Sequence, residues 1–168
     1  MGDLVSLQAL LALRAAWRAR GETLVFTNGV FDLLHLGHVR YLQAAKELGH
    51  VLVVGLNSDA SARRLKGAAR PLVPQRERAE LLAALACVDH VVIFGDDTAE
   101  GLVAALRPEV YVKGGDYTAR TGGGSQSAGK PLPEAAIVEG YSGKVVLLPY
   151  LPGHSTSELI ARIRQAVE

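Results

Sequence analysis

Two histidines that could bind phosphate follow the first apolar run of the chain. His35 and His38 enclose Gly37, and Gly29 stands a few residues earlier, just after residues 23–27. If a helix begins at this pair, its first N–H groups and the positive end of its dipole favour phosphate, and the imidazoles add N–H donors. Both glycines leave the backbone open to a nucleotide. We predict a nucleotide site here; the alternative is that the two histidines only cap and decorate a helix.

Three consecutive hydroxyl residues near the end of the chain form a second candidate for phosphate binding. Ser155, Thr156 and Ser157 open a segment in which apolar residues have helical spacing. Ser155 and Glu158 also match a capping box, which would explain the serine without a ligand. The two interpretations are compatible, because a capped helix N-terminus still offers N–H groups to an anion. Together with the histidines, this segment predicts a site that holds both ends of a triphosphate.

Basic residues concentrate between residues 63 and 78 and predict an anionic substrate. They are Arg63, Arg64, Lys66, Arg70, Arg76 and Arg78. A solvated surface is the commonest explanation of such a cluster. We expect no nucleic-acid partner, because 18 Lys and Arg residues are offset by 17 Asp and Glu residues and the cluster contains no aromatic residue. Beside a phosphate site, these side chains would neutralise the substrate and a leaving pyrophosphate.

A zinc site is an alternative use of the histidines. Cys87 and His90 repeat the spacing of His35 and His38, and all four side chains are of types that bind structural zinc. The predicted elements separate the two pairs, because His35 and His38 follow a strand whereas His90 begins one. We therefore favour phosphate over zinc. Cys87 is the only cysteine, so no intrachain disulfide is possible.

The elements that must position these residues are those of an α/β domain. Apolar and β-branched runs cover residues 23–27, 51–56, 90–94, 110–113 and 144–148, and helical patterns cover residues 36–48, 75–87 and 98–106. Strands that are apolar on both faces and alternate with helices predict a parallel sheet covered on both sides. We expect one doubly wound, five-stranded parallel sheet in a single domain over residues 1–168, with its ligand crevice beyond the carboxyl ends of the strands.

Two further segments belong to this predicted domain. Leu4, Leu7, Leu10 and Leu11 recur at helical spacing and predict an N-terminal helix within residues 1–20, too short to span a bilayer. Residues 118–133 are rich in glycine, serine and proline and predict a flexible loop. We expect no membrane partner and a cytoplasmic protein.

Segments near both ends of the chain resemble the signatures of a known superfamily. Residues 26–38, from Phe26 to His38, resemble the first signature of the cytidylyltransferase-like nucleotidyltransferases, and Ser155, Thr156 and Ser157 with Ile160 resemble the second. Residues 57–61, 64–67, 70–71, 78–80, 88–89 and 113–117 are similar to the D-glycero-β-D-manno-heptose 1-phosphate adenylyltransferases of that superfamily. The similarity extends over residues 22–117 and 133–167. It implies a Rossmann-like fold.

The resemblance implies transfer of AMP from ATP to heptose 1-phosphate, with release of pyrophosphate. Mg²⁺ would be held mainly by phosphate oxygens, with no direct protein ligand. Catalytic residues would be His35, His38, Lys66 and Arg78. Nucleotide-binding residues would be Asn28, Gly29, Val30, Phe31, His35, Gly37, His38, Lys113, Gly114, Ser155, Thr156 and Ser157. Substrate-binding residues would be Asp32, Asn57, Asp59, Arg64, Lys66 and Asp116.

Two other functions stay open from the sequence. Glycerol-3-phosphate cytidylyltransferases, which use CTP, share the histidine signature, but they usually carry an Arg before the terminal motif where this chain has residues 151–153. A nucleotide-binding regulator without turnover is the second alternative, because fold alone does not fix function. The resemblance also implies small-molecule substrates, a homodimer, and a separate sugar kinase that supplies the acceptor, since a fused kinase does not fit within 168 residues.

Overall fold

The computed structural model describes residues 1–114, 117–118, 130–149 and 151–167. Strands and helices alternate along most of this chain. In chain order the elements are β1 Asp3–Leu4, α1 Leu7–Ala19, β2 Leu24–Gly29, α2 Leu36–Lys46, β3 Val51–Asn57, α3 Asp59–Lys66, α4 Gln75–Ala83, β4 His90–Phe94, α5 Glu100–Leu106, β5 Val110–Gly114, β6 Tyr117–Thr118, β7 Lys130–Pro131, α6 Glu134–Gly140, β8 Lys144–Leu148 and α7 Thr156–Val167.

The main sheet has six strands in the order β1-β4-β3-β2-β5-β8, and each neighbouring pair is parallel. The predicted parallel α/β fold is therefore confirmed, whereas the predicted count of five strands is one too low. The additional strand is β1, in which Asp3 pairs with His90 and Leu4 pairs with Val91. Two residues are too few to show an alternating pattern in the sequence.

The core consists of two apolar layers, one on each face of the sheet. Phe26 and Val53 of the strands pack in one layer with apolar residues of α1, α5 and α6. Val25 and Leu52, their neighbours along the same strands, pack in the other layer with residues of α2 and α4. Successive strand residues point to opposite faces, so both faces are buried. The carboxyl ends of the strands are thereby held on a rigid support.

Two helices, α3 and α6, lie where the sequence analysis predicts none. In α3 only Ser61 and Ala62 are buried, so the segment has no periodic apolar face and its basic residues dominate the pattern. Ser58 caps this helix by accepting a hydrogen bond from the Ser61 N–H at 3.2 Å. Helix α6 spans seven residues, of which Ala135 and Val138 enter the core. Short helices of this kind depend on tertiary packing.

The segment predicted as a flexible loop over residues 118–133 lies largely outside the described residues. At its two ends, β6 and β7 form a parallel two-stranded ladder that pairs Tyr117 with Lys130 and Thr118 with Pro131. Within the predicted loop, residues 118, 130 and 131 are therefore strand backbone. Within the described ranges, every helix is too short or too polar to cross a membrane.

Candidate active site

The turn between β2 and α2 presents the two histidines at the carboxyl edge of the sheet. Strand β2 ends at Gly29, and α2 begins at Leu36 with His35 in the N-cap position. The His35 side chain makes no capping hydrogen bond. Because no side-chain cap bonds an N–H group of the first turn, N–H groups there stay available for an anion, apart from that of His38, which donates to the His35 carbonyl at 2.9 Å.

The two imidazole rings stack on each other. Their centroids are 3.8 Å apart, and the planes differ by 23°. The ring of Phe31 lies 5.2 Å from that of His38. Within the described part of the chain, the Nδ1 atoms of both histidines are buried without a hydrogen-bond partner. Polar ring atoms at the start of a helix are candidates for a hydrogen bond to an anionic ligand.

The environment of both histidines favours the neutral form of the imidazole. Burial, with a smaller contribution from neighbouring His35, lowers the pKa of His38 to about 4. Burial also lowers the pKa of His35, and His154 contributes in the same direction. A neutral imidazole has one N–H donor, so each ring can donate one hydrogen bond to a phosphate oxygen. The negative charge of a bound phosphate would raise both pKa values again.

The N-terminus of α7 lies directly against the histidine turn. A Cβ atom added to Gly37 would come within 2.8 Å of the His154 carbonyl oxygen and 3.0 Å of the His35 ring. Ser155 caps α7, because its hydroxyl accepts a hydrogen bond from the Glu158 N–H at 3.1 Å. Glycine at position 37 therefore allows the two helix N-termini to approach, and the hydroxyl triplet lies beside the histidines.

Gly29 serves packing. A Cβ atom at this position would lie 3.0 Å from the Phe31 ring. Phe31 itself is buried and has a φ of 45°, which is uncommon for a residue other than glycine. This conformation brings the aromatic ring against His38, so Phe31 orients the imidazole. The space that the sequence analysis assigns to a nucleotide at Gly29 is occupied by this ring.

Arg78 does not reach the crevice as the sequence analysis predicts, because it is completely buried beneath it. Its Nε donates to the Val73 carbonyl at 2.9 Å, and Nη1 donates to the carbonyls of Val30 and Asn57. Nη2 donates to Asp59 Oδ1 at 2.7 Å. One guanidinium thus ties together the turns after β2 and β3 and the segment before α4. Arg78 is a positioning residue, and Asp59 is its partner.

Asp32 is likewise committed to the framework rather than to a substrate. Its carboxylate is buried, accepts hydrogen bonds from the Leu72 and Val73 N–H groups at 2.7 and 3.0 Å, and pairs with Arg70 at 2.5 Å. Buried Asn57 donates to Ser61 Oγ at 2.9 Å. These contacts hold the segment before α4 and the start of α3.

The basic residues of α3 remain at the surface. Lys66 is exposed in the last turn of this helix. Arg64 donates to Asp97 Oδ1 and to the Gly95 carbonyl, beyond the carboxyl end of β4. Arg64 therefore joins α3 to the neighbouring strand end, while the Lys66 side chain, two residues further along the helix, is exposed.

Strand β5 supplies the remaining polar groups of this edge. Buried Lys113 donates to the Asn28 carbonyl at 3.0 Å, and Gly114 ends the strand. The Tyr111 hydroxyl donates to Asn28 Oδ1 at 2.7 Å. The sequence analysis does not include Tyr111 among its candidates, although a tyrosine in an otherwise aliphatic strand is a usable signal. Asp116 lies outside the described residues.

The structure separates the two pairs of the zinc alternative. His90 begins β4 at the amino edge of the sheet, where its ring lies 5.3 Å from that of Trp17, whereas His35 and His38 lie beyond the carboxyl end of β2. Among the described residues, no group of three or more His, Cys, Asp or Glu side chains is placed to hold a metal ion.

Comparison with known proteins agrees with this geometry. The family model described as cytidylyltransferase-like matches residues 26–162. The chain belongs to the cytidylyltransferase-like family. The matched range contains both helix N-termini of the candidate site, so the resemblance noted from the two signatures is confirmed at the family level.

Curated relatives in this family have the name bifunctional protein HldE. The chain is 54% identical over 159 residues to the protein of Geotalea uraniireducens (strain Rf4), with 95% of this chain and 30% of that protein covered. It is 52% identical over 151 residues to the Streptomyces coelicolor protein, with 90% of this chain and 30% of that protein covered. The chain therefore spans about three tenths of the length of these relatives.

Two solved structures have folds similar to that of this chain. The lipopolysaccharide core biosynthesis protein from Thermoplasma volcanium aligns with a TM-score of 0.56 and 26% identity, over 78% of this chain and 98% of that one. Pantothenate synthetase from Thermus thermophilus aligns with a TM-score of 0.61 and 14% identity, over 90% of this chain and 62% of that one. The second similarity concerns the fold alone.

Proposed function

We propose that this chain transfers AMP from ATP to a sugar 1-phosphate, D-glycero-β-D-manno-heptose 1-phosphate, and releases pyrophosphate. The observation that carries the proposal is the close approach of two helix N-termini at Gly37, where the His35 ring lies against the same glycine and stacks on His38. Such an arrangement suits a triphosphate, because free N–H groups and two helix dipoles act on the same anion.

The reaction needs no general base, because the acceptor is already an anion. A phosphate oxygen of the sugar phosphate attacks the α-phosphorus of ATP and forms the new P–O bond. The bond from the α-phosphorus to the bridging oxygen breaks, and its electron pair leaves on pyrophosphate. Catalysis then depends on positioning and charge neutralisation. His35 and His38 would donate to the triphosphate as negative charge moves toward the leaving group.

The other groups of the crevice have distinct proposed roles. The N-terminus of α7, with Ser155, Thr156 and Ser157, would hold the β- and γ-phosphates. Exposed Lys66 would neutralise the acceptor phosphate or the leaving group. Mg²⁺ would enter with ATP as part of the substrate and be held by phosphate oxygens. In this assignment Arg78 and Asp32 support the crevice from below and make no substrate contact.

The choice of the acceptor and of ATP rather than CTP rests on similarity to known proteins. The relatives are bifunctional HldE proteins, one structural neighbour is a lipopolysaccharide core biosynthesis protein, and the sequence signatures are similar to heptose 1-phosphate adenylyltransferases. We propose a cytoplasmic enzyme whose sugar 1-phosphate is supplied by a sugar kinase. A homodimer is part of the same proposal.

A pyrophosphate-release assay tests the function directly. The protein is incubated with Mg²⁺ and either ATP or CTP, together with heptose 1-phosphate, other sugar 1-phosphates or glycerol 3-phosphate. We expect release with ATP and heptose 1-phosphate. Release only with CTP and glycerol 3-phosphate would favour a cytidylyltransferase, and binding of ATP without release from any pair would favour a regulator.

The histidine variant separates catalysis from folding. His38→Ala is expected to lower turnover about 10²-fold, as for removal of one donor to transition-state charge, without loss of the folded state. His50→Ala is the matched control, because exposed His50 precedes β3 at the opposite edge of the sheet. Unchanged turnover in His38→Ala would contradict the proposed role.

A further inference from the structure

A cleft lies at the amino ends of the strands, opposite the edge that carries the candidate active site. Its volume is about 380 Å³, and it is lined by Arg18, Arg107, Glu109, Tyr141, Ser142 and Gly143. Glu109 directly precedes β5 and Gly143 directly precedes β8, so the cleft lies at the edge of the sheet where these strands begin. The volume is within the range of small-molecule sites.

The one carboxylate that lines the cleft is already neutralised. Glu109 Oε1 pairs with Arg14 Nη2 at 2.5 Å, and Oε2 accepts a hydrogen bond from the Leu24 N–H at 2.8 Å. Arg14 is itself only 3% exposed, and its Nη1 has no hydrogen-bond partner among the described residues. Glu109 therefore does not compensate the remaining basic groups of the cleft.

Those remaining groups are the guanidinium ions of Arg18 and Arg107. Within the described ranges neither forms an ion pair. Arg18 Nη2 donates to the Arg107 carbonyl at 3.3 Å, and the Arg107 guanidinium lies 5.0 Å from the ring centroid of Tyr141. Most N–H donors of both guanidinium groups thus stay available. Their planar geometry suits the oxygens of a phosphate or carboxylate.

Capping of α5 does not require these two arginines. Arg14 already serves the C-terminal carbonyls of this helix, because Nε donates to the Leu106 carbonyl at 2.9 Å and Nη2 donates to the Arg107 carbonyl at 2.8 Å. Cations at helix C-termini are commonly explained by such contacts. The positive charges of Arg18 and Arg107 are therefore not needed to cap α5.

The backbone places two side chains at the cleft at a conformational cost. Arg107 and Ser142 follow the C-terminal ends of α5 and α6 with left-handed φ values of 45° and 64°. Glycine would adopt this conformation with less strain. Both positions instead carry polar side chains that line the cleft.

We propose that this cleft binds a small phosphate-bearing anion, with Arg18 and Arg107 as its charged ligands. Two uncompensated guanidinium groups match the charge of a phosphate dianion, and the Ser142 hydroxyl adds a neutral donor. The ligand is either free inorganic phosphate or a phosphate ester, since both present the same group of oxygens.

NMR spectroscopy of the full chain labelled with ¹⁵N tests this proposal. Inorganic phosphate is titrated while the amide signals of Ser142 and Gly143 are followed, with sodium chloride at matched ionic strength as the salt control. We expect saturable shifts of these signals. Arg107→Gln is expected to weaken the apparent affinity at these signals about tenfold or more, because it removes a charged hydrogen-bond donor. A phosphorylated sugar in a parallel titration distinguishes an ester from the free ion.

Two further variants keep the result interpretable. Arg164→Gln removes the same charge from an exposed position of α7, so it should leave phosphate binding at the cleft unchanged. His38→Ala perturbs the candidate active site and should likewise leave the Ser142 and Gly143 shifts intact. The spectrum of each variant reports its folding. Shifts that match the chloride control, or that persist in folded Arg107→Gln, would overturn the proposal and leave the arginines as helix caps.

Discussion

Replacement of Arg78 by methionine should destabilise the protein rather than remove a contact to substrate. Methionine fills most of the volume of the side chain but leaves the carboxylate of Asp59 and the three carbonyls that Arg78 bonds without their donor. Loss of one partner of a buried ion pair costs about 3–5 kcal/mol. We expect the lower end, about 3 kcal/mol, because Asp59 is 25% exposed and water can reach it.

Thermal and urea unfolding measure this effect. For a chain of this size, about 3 kcal/mol corresponds to a fall in Tm of about 6–12 °C. Arg76→Met is the matched control, because Arg76 is exposed on the same helix and its replacement should change stability by no more than about 0.5 kcal/mol. If Arg78→Met unfolds like the wild type yet loses turnover, Arg78 acts on the substrate and the positioning role is refuted.

Three other perturbations test the same crevice. Gly37→Ala should lower turnover about tenfold or more without unfolding the chain, because the added Cβ would force apart the two helix N-termini. Gly101→Ala, at an open position of α5, is the control and should leave turnover unchanged. Pyrophosphate release measures turnover of both variants, and melting curves measure their stability. The folded-state pKa of His38, about 4, lies below its ordinary value of 6.5, so its contribution to stability is complete above about pH 6.5 and is lost as the pH falls toward 4. Between about pH 7.5 and 5 the free energy of unfolding should fall by about 2 kcal/mol more in the wild type than in His38→Gln, and equal slopes would contradict the shift. Asp32→Asn keeps an oxygen for the backbone bonds of the 70–73 segment but loses the ion pair, and urea unfolding should show a loss of about 1–3 kcal/mol; an unchanged midpoint would argue against this contact.

The turns that follow the strands, and the residues at helix N-termini, are the part of the site that the sequence predicts best. The order of apolar runs places the turns after β2 and β5 at one edge of a parallel sheet, whatever the details of packing. Glycine between His35 and His38 and the hydroxyl triplet before the last helix are local signals of helix N-termini. The structure shows that these two N-termini meet at Gly37.

Side chains whose role depends on burial were predicted less well. Arg78 and Asp32 are charged residues next to a phosphate site, so the sequence favours contact with a substrate. The structure turns both away from solvent and surrounds them with backbone carbonyls and N–H groups. A one-dimensional pattern cannot distinguish these outcomes, because the partners of Arg78 come from three separate turns.

The class of fold, the edge of the sheet that carries the polar turns, and the histidine and hydroxyl motifs all follow from the amino-acid order, because they depend on local periodicity and on the chirality of parallel crossovers. Which charged side chains can contact a ligand becomes clear from the packed fold. Arg78 is buried and bonded to backbone carbonyls and Asp59. Arg18 and Arg107, by contrast, form no ion pair among the described residues and line the cleft at the amino ends of the strands. Pairing of charges is set by contacts between residues distant in the chain, and those contacts exist only once the layers are packed.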